Sequence, residues 1–221
     1  MPDVNPAVRS PLAKPQALAG EPAKRRGRPP TGAREALVKA MRELLLEHDF
    51  EDISTEDLLA RAGVSRGGMY HHFATKVDLF KAAYEASEQD ILMRLTTIAG
   101  QEADASDPFA QLLAGCIAYV RECAAGHELS RIGLRQSRRV LGWEGWRDTA
   151  GPLGIAVIKA GIQAAVDAGQ MASRDVTVAT HLVLAALIEA GLLAANDPKP
   201  KQALARIEPE ITRLLNGLRQ R

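Results

Sequence analysis

Cysteine is scarce: Cys116 and Cys123 are the only two in 221 residues. That is too few for a disulfide framework and fits a reducing compartment. On one helix they stand roughly 10 Å apart by helix rise, too far for a bridge between them, and we read them as core residues. Aromatic residues make up 4 % of the chain while alanine and leucine abound, which favours packed helices over sheets. No strand pattern extends beyond a few residues. No run reaches the about 18 uninterrupted apolar residues of a membrane span, and the N-terminus lacks the apolar stretch of a secretory signal. These absences predict a cytoplasmic protein without a membrane partner. There is also no nucleotide loop, no metal-ligand spacing and no legible nucleophile–base pair. Neither an enzyme nor a cofactor is expected. His71 and His72 are adjacent, so on a helix they point in different directions, and no metal site is read from them.

What is present is unevenly spread. Net charge is +1, yet residues 1–34 hold seven Lys/Arg and two Asp/Glu, a balance of +5, and the remainder balances at −4. Seven of the twelve prolines fall in residues 1–30, which show no apolar periodicity and are expected to be a disordered basic arm. Within it lies Lys24-Arg-Arg-Gly-Arg-Pro-Pro30. Arg26 and Arg28 in such an extended segment suit the narrow minor groove of AT-rich DNA. A cationic tail on a mildly acidic body points to a polyanion handled at that end.

From residue 33 the pattern turns helical. Leu37, Met41, Leu44 and Leu45 recur at helix spacing and predict a helix over 33–48. Ser54 starts a capping-box-like segment that ends at Gly63, Ser65 caps the next helix to His72, and Thr75 caps one running to about 98. Further helices are expected over 108–125, 128–140, 152–168, 174–195 and 200–219, with Pro209 kinking the last or starting a new segment. The fold class is all-α: an N-terminal three-helix unit, 31–91, followed by a larger helical bundle, 92–221.

The functional signal is Ala62-Gly-Val-Ser-Arg-Gly-Gly-Met-Tyr-His-His-Phe-Ala-Thr-Lys76. It forms the second half of a helix–turn–helix over about 54–73, the spacing at which one helix crosses the DNA backbone and the next enters the major groove. Ser65 and Arg66 fall at the helix N-terminus, where free N–H groups favour phosphate. Gly67 and Gly68 each cost roughly 1 kcal/mol of helix propensity against alanine, and close approach to DNA is the compensation expected. Met69 and Phe73 face inward, leaving Tyr70 and His71 toward the duplex.

Phe50, Ser54, Ala62-Gly63-Val64-Ser65, Gly67, Tyr70, His72-Phe73, Lys76 and Leu79-Phe80 together resemble the motif of the TetR family of bacterial transcription regulators. The likeness is specific over about 33–90. It implies phosphate contacts by Ser54, Tyr70 and Lys76, and base reading by the helix around 65–71. Gly68 stands where the family more often has Thr, Ala or Ser, and Thr55 where an apolar residue is usual. The resemblance further implies a C-terminal half that binds a small effector and dimerises through its last two helices. Residues Leu182, Ala186, Leu193, Ile207 and Leu214 are placed at that dimer interface. The effector is expected to be small and mostly apolar, against Tyr119, Cys123, Trp143 and Trp146. The function so implied is a ligand-responsive repressor, a homodimer on a palindromic double-stranded operator. The alternative is a DNA-binding regulator or architectural protein with no small-molecule effector.

Overall fold

The computed structural model describes residues 32–149, 151–172 and 175–219, without the side chains of Trp143 and Arg147. The basic arm with Arg26 and Arg28 lies outside the described residues. Within them the chain is helical apart from its connections and one isolated bridge, Met171 to Arg219.

Helix α1 (Ala33–Glu47) buries the stripe Leu37, Met41, Leu44 and Leu45. A single 3-10 turn, Phe50–Asp52, leads to α2 (Thr55–Ala62) and α3 (Arg66–His72). The next three helix starts are built locally. Ser54 Oγ accepts from the Asp57 N–H, Ser65 Oγ from the Gly68 N–H, and Thr75 with Asp78 closes a reciprocal capping box. Gly63 ends α2 at φ 64°, a left-handed conformation that a side chain would strain. Helix α4 (Lys76–Glu102) is one continuous element through residue 91, where the sequence divides the two units. Its first turns bury Leu79, Phe80 and Ala83 in the N-terminal core; Ile91 and Leu95 face the C-terminal helices.

The C-terminal half contains α5 (Pro108–Ala124), a π-helix (Leu129–Gln136), α6 (Ser137–Thr149), α7 (Gly151–Asp167), α8 (Val176–Asn196) and α9 (Pro200–Asn216). The helix expected over 128–140 is thus two elements. The π-helix comes first, and α6 then continues to Thr149 across a break at Gly142, whose φ is 69°. Helix α9 runs through Pro209 without starting a new segment. Ala205 and Pro209 are both exposed, so water can take the carbonyl that Pro209 has no N–H to serve.

Helix α8 is the one described helix long and apolar enough to cross a membrane by length and composition. The sequence criterion passed over it because His181 and Glu189 interrupt the apolar run. One face, with Val183, Leu187, Ala190 and Ala194, is core between α5, α7 and α9. Gly191 permits the close approach to α5: a Cβ there would meet Cys123 Sγ at 2.8 Å and Tyr119 at 3.3 Å.

Candidate nucleic-acid interface and internal cavity

The surface expected to face DNA is presented by α3. Met69 and Phe73 are buried and anchor it on α1, while Arg66, Gly67, Tyr70 and His71 share the outward face; Tyr70 is 48 % exposed. Ser65 is exposed beside them and Ser54 half-buried at the start of α2. Arg66 makes only a loose contact, 3.5 Å to Glu56, between two exposed side chains.

The two glycines differ. A Cβ on Gly67 would meet nothing within 4 Å, so that position is open outward. A Cβ on Gly68 would lie 2.8 Å from Val64 Cγ1. Gly68 therefore admits the Val64 side chain at the helix–turn–helix corner, a packing reason in place of the groove access expected for it.

Lys76 is more tightly engaged than its motif position suggests. Its Nζ donates to the Phe50 carbonyl at 2.6 Å and to the Ile53 carbonyl, and lies 4.2 Å from the Phe50 ring centroid. Burial lowers its pKa. An ammonium has three N–H donors; two fasten the 3-10 turn and one is left for an outside acceptor.

Charge in this unit is the opposite of what DNA attracts. Residues 33–91 contain seven Lys/Arg against twelve Asp/Glu. Much of the cationic charge is internally matched: Arg61 pairs with Glu47 at 3.1 Å, and Arg42 with Asp90 and Glu128 at 2.8 Å each.

In the other half, α4, α5, α6, α7, α8 and the π-helix line a cavity of about 470 Å³. Its wall is mainly aliphatic. Tyr119 and Trp146 line it. Cys123 does not: it is buried behind the wall, against Gly191 of α8, and Cys116 lines the cavity instead. Both thiols are free and burial pushes each up to about 12, so neither has the thiolate character of a redox sensor. The Trp143 side chain lies outside the described residues. Helices α4 and α8 also form walls, and with α4 comes Glu88. Its Oε2 is buried without a hydrogen-bond partner, and desolvation raises the carboxyl to about 8. The side-chain periodicity of α4 carried no sign of it.

The π-helix joins the cavity to the N-terminal unit. Leu129, Gly133 and Leu134 line the cavity. Ile132 is fully buried in the N-terminal core. Gln136, also buried, accepts from the Phe50 N–H at 2.9 Å and donates to the Leu45 carbonyl at 3.1 Å. Just before the π-helix, Glu128 takes two hydrogen bonds from Arg42 of α1, at 2.9 and 2.8 Å. Beyond it, Arg139 reaches Asp49 at 3.1 Å and Glu51 at 2.7 Å.

Two exposed apolar rows remain on α8 and α9. Leu182, Leu193 and Leu214 are 67 %, 57 % and 49 % exposed; Ala186 and Ile207 are half-buried nearby.

Comparison with known proteins agrees with this geometry. Residues 37–83 match the model of bacterial regulatory proteins of the tetR family, and residues 109–218 that of the tetracyclin repressor-like C-terminal domain. A TetR-family transcriptional regulator from Pectobacterium atrosepticum superposes with a TM-score of 0.70 at 29 % identity, covering 85 % of this chain and 94 % of that one. RolR in complex with resorcinol superposes at 0.61 with 15 % identity, over 84 % and 92 % of the two chains, a likeness of fold alone. The nucleoid occlusion factor SlmA of Shewanella pealeana is 31 % identical over 85 residues, 38 % of this chain and 43 % of that protein. The HTH-type transcriptional repressor AcnR of Corynebacterium glutamicum is 36 % identical over 56 residues, 25 % of this chain and 30 % of that protein. The chain thus spans under half the length of the curated relatives it matches. Regulators of this kind bind DNA and act as dimers, and are not enzymes. The chain belongs to the tetR family of bacterial regulatory proteins, with a helix–turn–helix DNA-binding unit and a helical C-terminal half.

Proposed function

We propose that this protein is a cytoplasmic, ligand-responsive repressor that binds a palindromic operator as a homodimer and releases it when an effector fills the cavity. The observation that carries this reading is the π-helix Leu129–Gln136, which is cavity wall on one side and anchor of α1 and the 3-10 turn on the other. A ligand that displaces Leu129 or Leu134 moves Gln136 and Ile132 with them. That shift reorients α1, and with it α3, relative to the partner copy. Operator release then requires the effector to prefer the DNA-incompetent form by about 1.4 kcal/mol per tenfold loss of affinity.

On the DNA, Arg66 and His71 read base edges across the opening left by Gly67, while Ser54, Ser65, Tyr70 and the third Lys76 donor hold phosphates. Arg26 and Arg28 of the basic arm offset the acidic charge of residues 33–91. The exposed rows of α8 and α9 close against a second copy, covering Leu182, Leu193 and Leu214. The rival reading, a DNA-binding protein with no effector, draws on the likeness to nucleoid occlusion factors but leaves the cavity without a role. Tryptophan emission distinguishes them, because Trp146 lines the cavity. A cognate effector changes that emission and lowers operator affinity over one concentration range, and Trp146→Phe reduces the signal. An effector that releases DNA while leaving the emission unperturbed refutes the assigned pocket.

A further inference from the structure

The cavity wall is aliphatic save for a few polar groups, and one of these is unsatisfied. Glu88 Oε2 is buried and has no hydrogen-bond partner. A buried acceptor left so is costly, more when charged, and its presence in a cavity wall calls for a donor from the cavity's occupant. The Tyr84 side chain, one turn earlier on α4, lowers the pKa of the same carboxyl group against the effect of burial. Ser137 and Trp146 act on the Tyr84 hydroxyl in the same direction. A carboxyl with an open, buried oxygen in a cavity wall is half of an ion-pair site.

Resting on the effector reading above, we propose that the effector is a compact apolar molecule carrying one basic nitrogen, whose ammonium group donates to Glu88 Oε2 while its hydrocarbon part fills the aliphatic cavity.

The surroundings leave this pairing to the ligand. Facing groups that titrate or carry charge are Tyr84 and Glu85 on α4 and Tyr119 on α5. Cys116 of α5 also lines the cavity with a thiol held neutral by burial. Arg138 of α6 acts on Tyr84 and sits 4.4 Å over the Trp146 ring. The π-helix, α7 and α8 contribute no titratable side chain to the wall. Burial raises the empty-site carboxyl to about 8, so near neutral pH it is mostly protonated. An entering ammonium displaces that proton: the Glu88 O–H bond breaks, the proton goes to solvent, and an N–H donates to the carboxylate. Binding therefore releases about one proton below pH 8. The dissociation constant falls about tenfold per pH unit in that range and levels off above it.

The test uses full-length protein and two matched probes, 4-phenylbutylamine and its neutral counterpart 4-phenylbutan-1-ol. Calorimetry at pH 6.5 in two buffers of different ionisation enthalpy counts protons. The proposal expects the amine to bind at least tenfold more tightly than the alcohol at pH 8, with about one proton released at pH 6.5. Glu88→Gln, a neutral isostere of the protonated acid whose fold is checked by its melting temperature, should lose the preference and the pH dependence. Tyr84→Phe, which removes the hydroxyl that lowers the Glu88 pKa, should shift the amine's pH profile upward. Equal binding of amine and alcohol with no proton release overturns the basic-nitrogen assignment and leaves the effector cavity standing. A Glu88→Gln protein that keeps the full amine preference overturns it as well. Binding of neither probe overturns both.

Discussion

Replacing Gln136 with methionine keeps the volume and removes the amide that joins the two halves. Three hydrogen bonds go with it: from the Phe50 N–H at 2.9 Å, and to the carbonyls of Leu45 at 3.1 Å and His48 at 3.5 Å. Gln136 is buried, so water does not simply replace it. At a net value near 1 kcal/mol for each bond, with the longest worth least, the loss is about 2–3 kcal/mol. For a protein of this size that lowers the melting temperature by roughly 4–12 °C. The same substitution loosens the grip of the π-helix on the 3-10 turn. An effector should therefore still bind Gln136→Met but change operator affinity less than it does for the wild type. Thermal denaturation followed by circular dichroism gives the first quantity, and operator titration with and without effector gives the second. A variant that melts within 1 °C of wild type and keeps the full effector response refutes the coupling role of Gln136.

Three further outcomes are expected. Gly67→Ala should stabilise α3 by about 0.5–1 kcal/mol while weakening operator binding, whereas Gly68→Ala should force Val64 to move and destabilise the fold; paired melting and gel-shift measurements separate the two effects. Leu182→Glu or Leu214→Glu should put a charge into the dimer face and give monomers that bind DNA poorly, as read by sedimentation at micromolar concentration; unchanged assembly in both variants would place the interface elsewhere. Deleting residues 1–30 should leave the melting curve intact and reduce the slope of log K against log salt by about 0.9 per lost phosphate contact, roughly 3–4 if Lys24, Arg25, Arg26 and Arg28 all take part; an identical slope would show that the arm does not touch DNA.

The DNA-binding half was legible in the sequence because its signals are local. Ser54, Ser65 and Thr75 cap helices that start one residue later, and each bonds a backbone N–H three residues on. Met69 and Phe73 are buried on the face their spacing gives them. Long-range packing was not legible. Gln136 finds its partners 86 to 91 residues away, and nothing local marks the stretch before it as a π-helix distinct from α6. Cys123 shares a helix face with Cys116, yet the approach of Gly191 covers one and leaves the other in the cavity wall. Glu88 reads as an ordinary charge on a long helix until α5 and α6 close over it. The hold of Lys76 on the Phe50 and Ile53 carbonyls depends on where the 3-10 turn lies, which its own neighbours in sequence do not mark.

The central claim is sequence-specific binding by a two-fold dimer. Its most direct test is selection of bound duplexes from a random pool by the full-length protein, followed by sequencing. The account predicts enrichment of one inverted repeat whose half-site centres lie ~34–36 Å apart or a near multiple of that. Its enrichment should be lost on Tyr70→Ala with Arg66→Ala. Salt-sensitive retention of DNA with no enriched sequence, or enrichment unchanged by that double substitution, would contradict it.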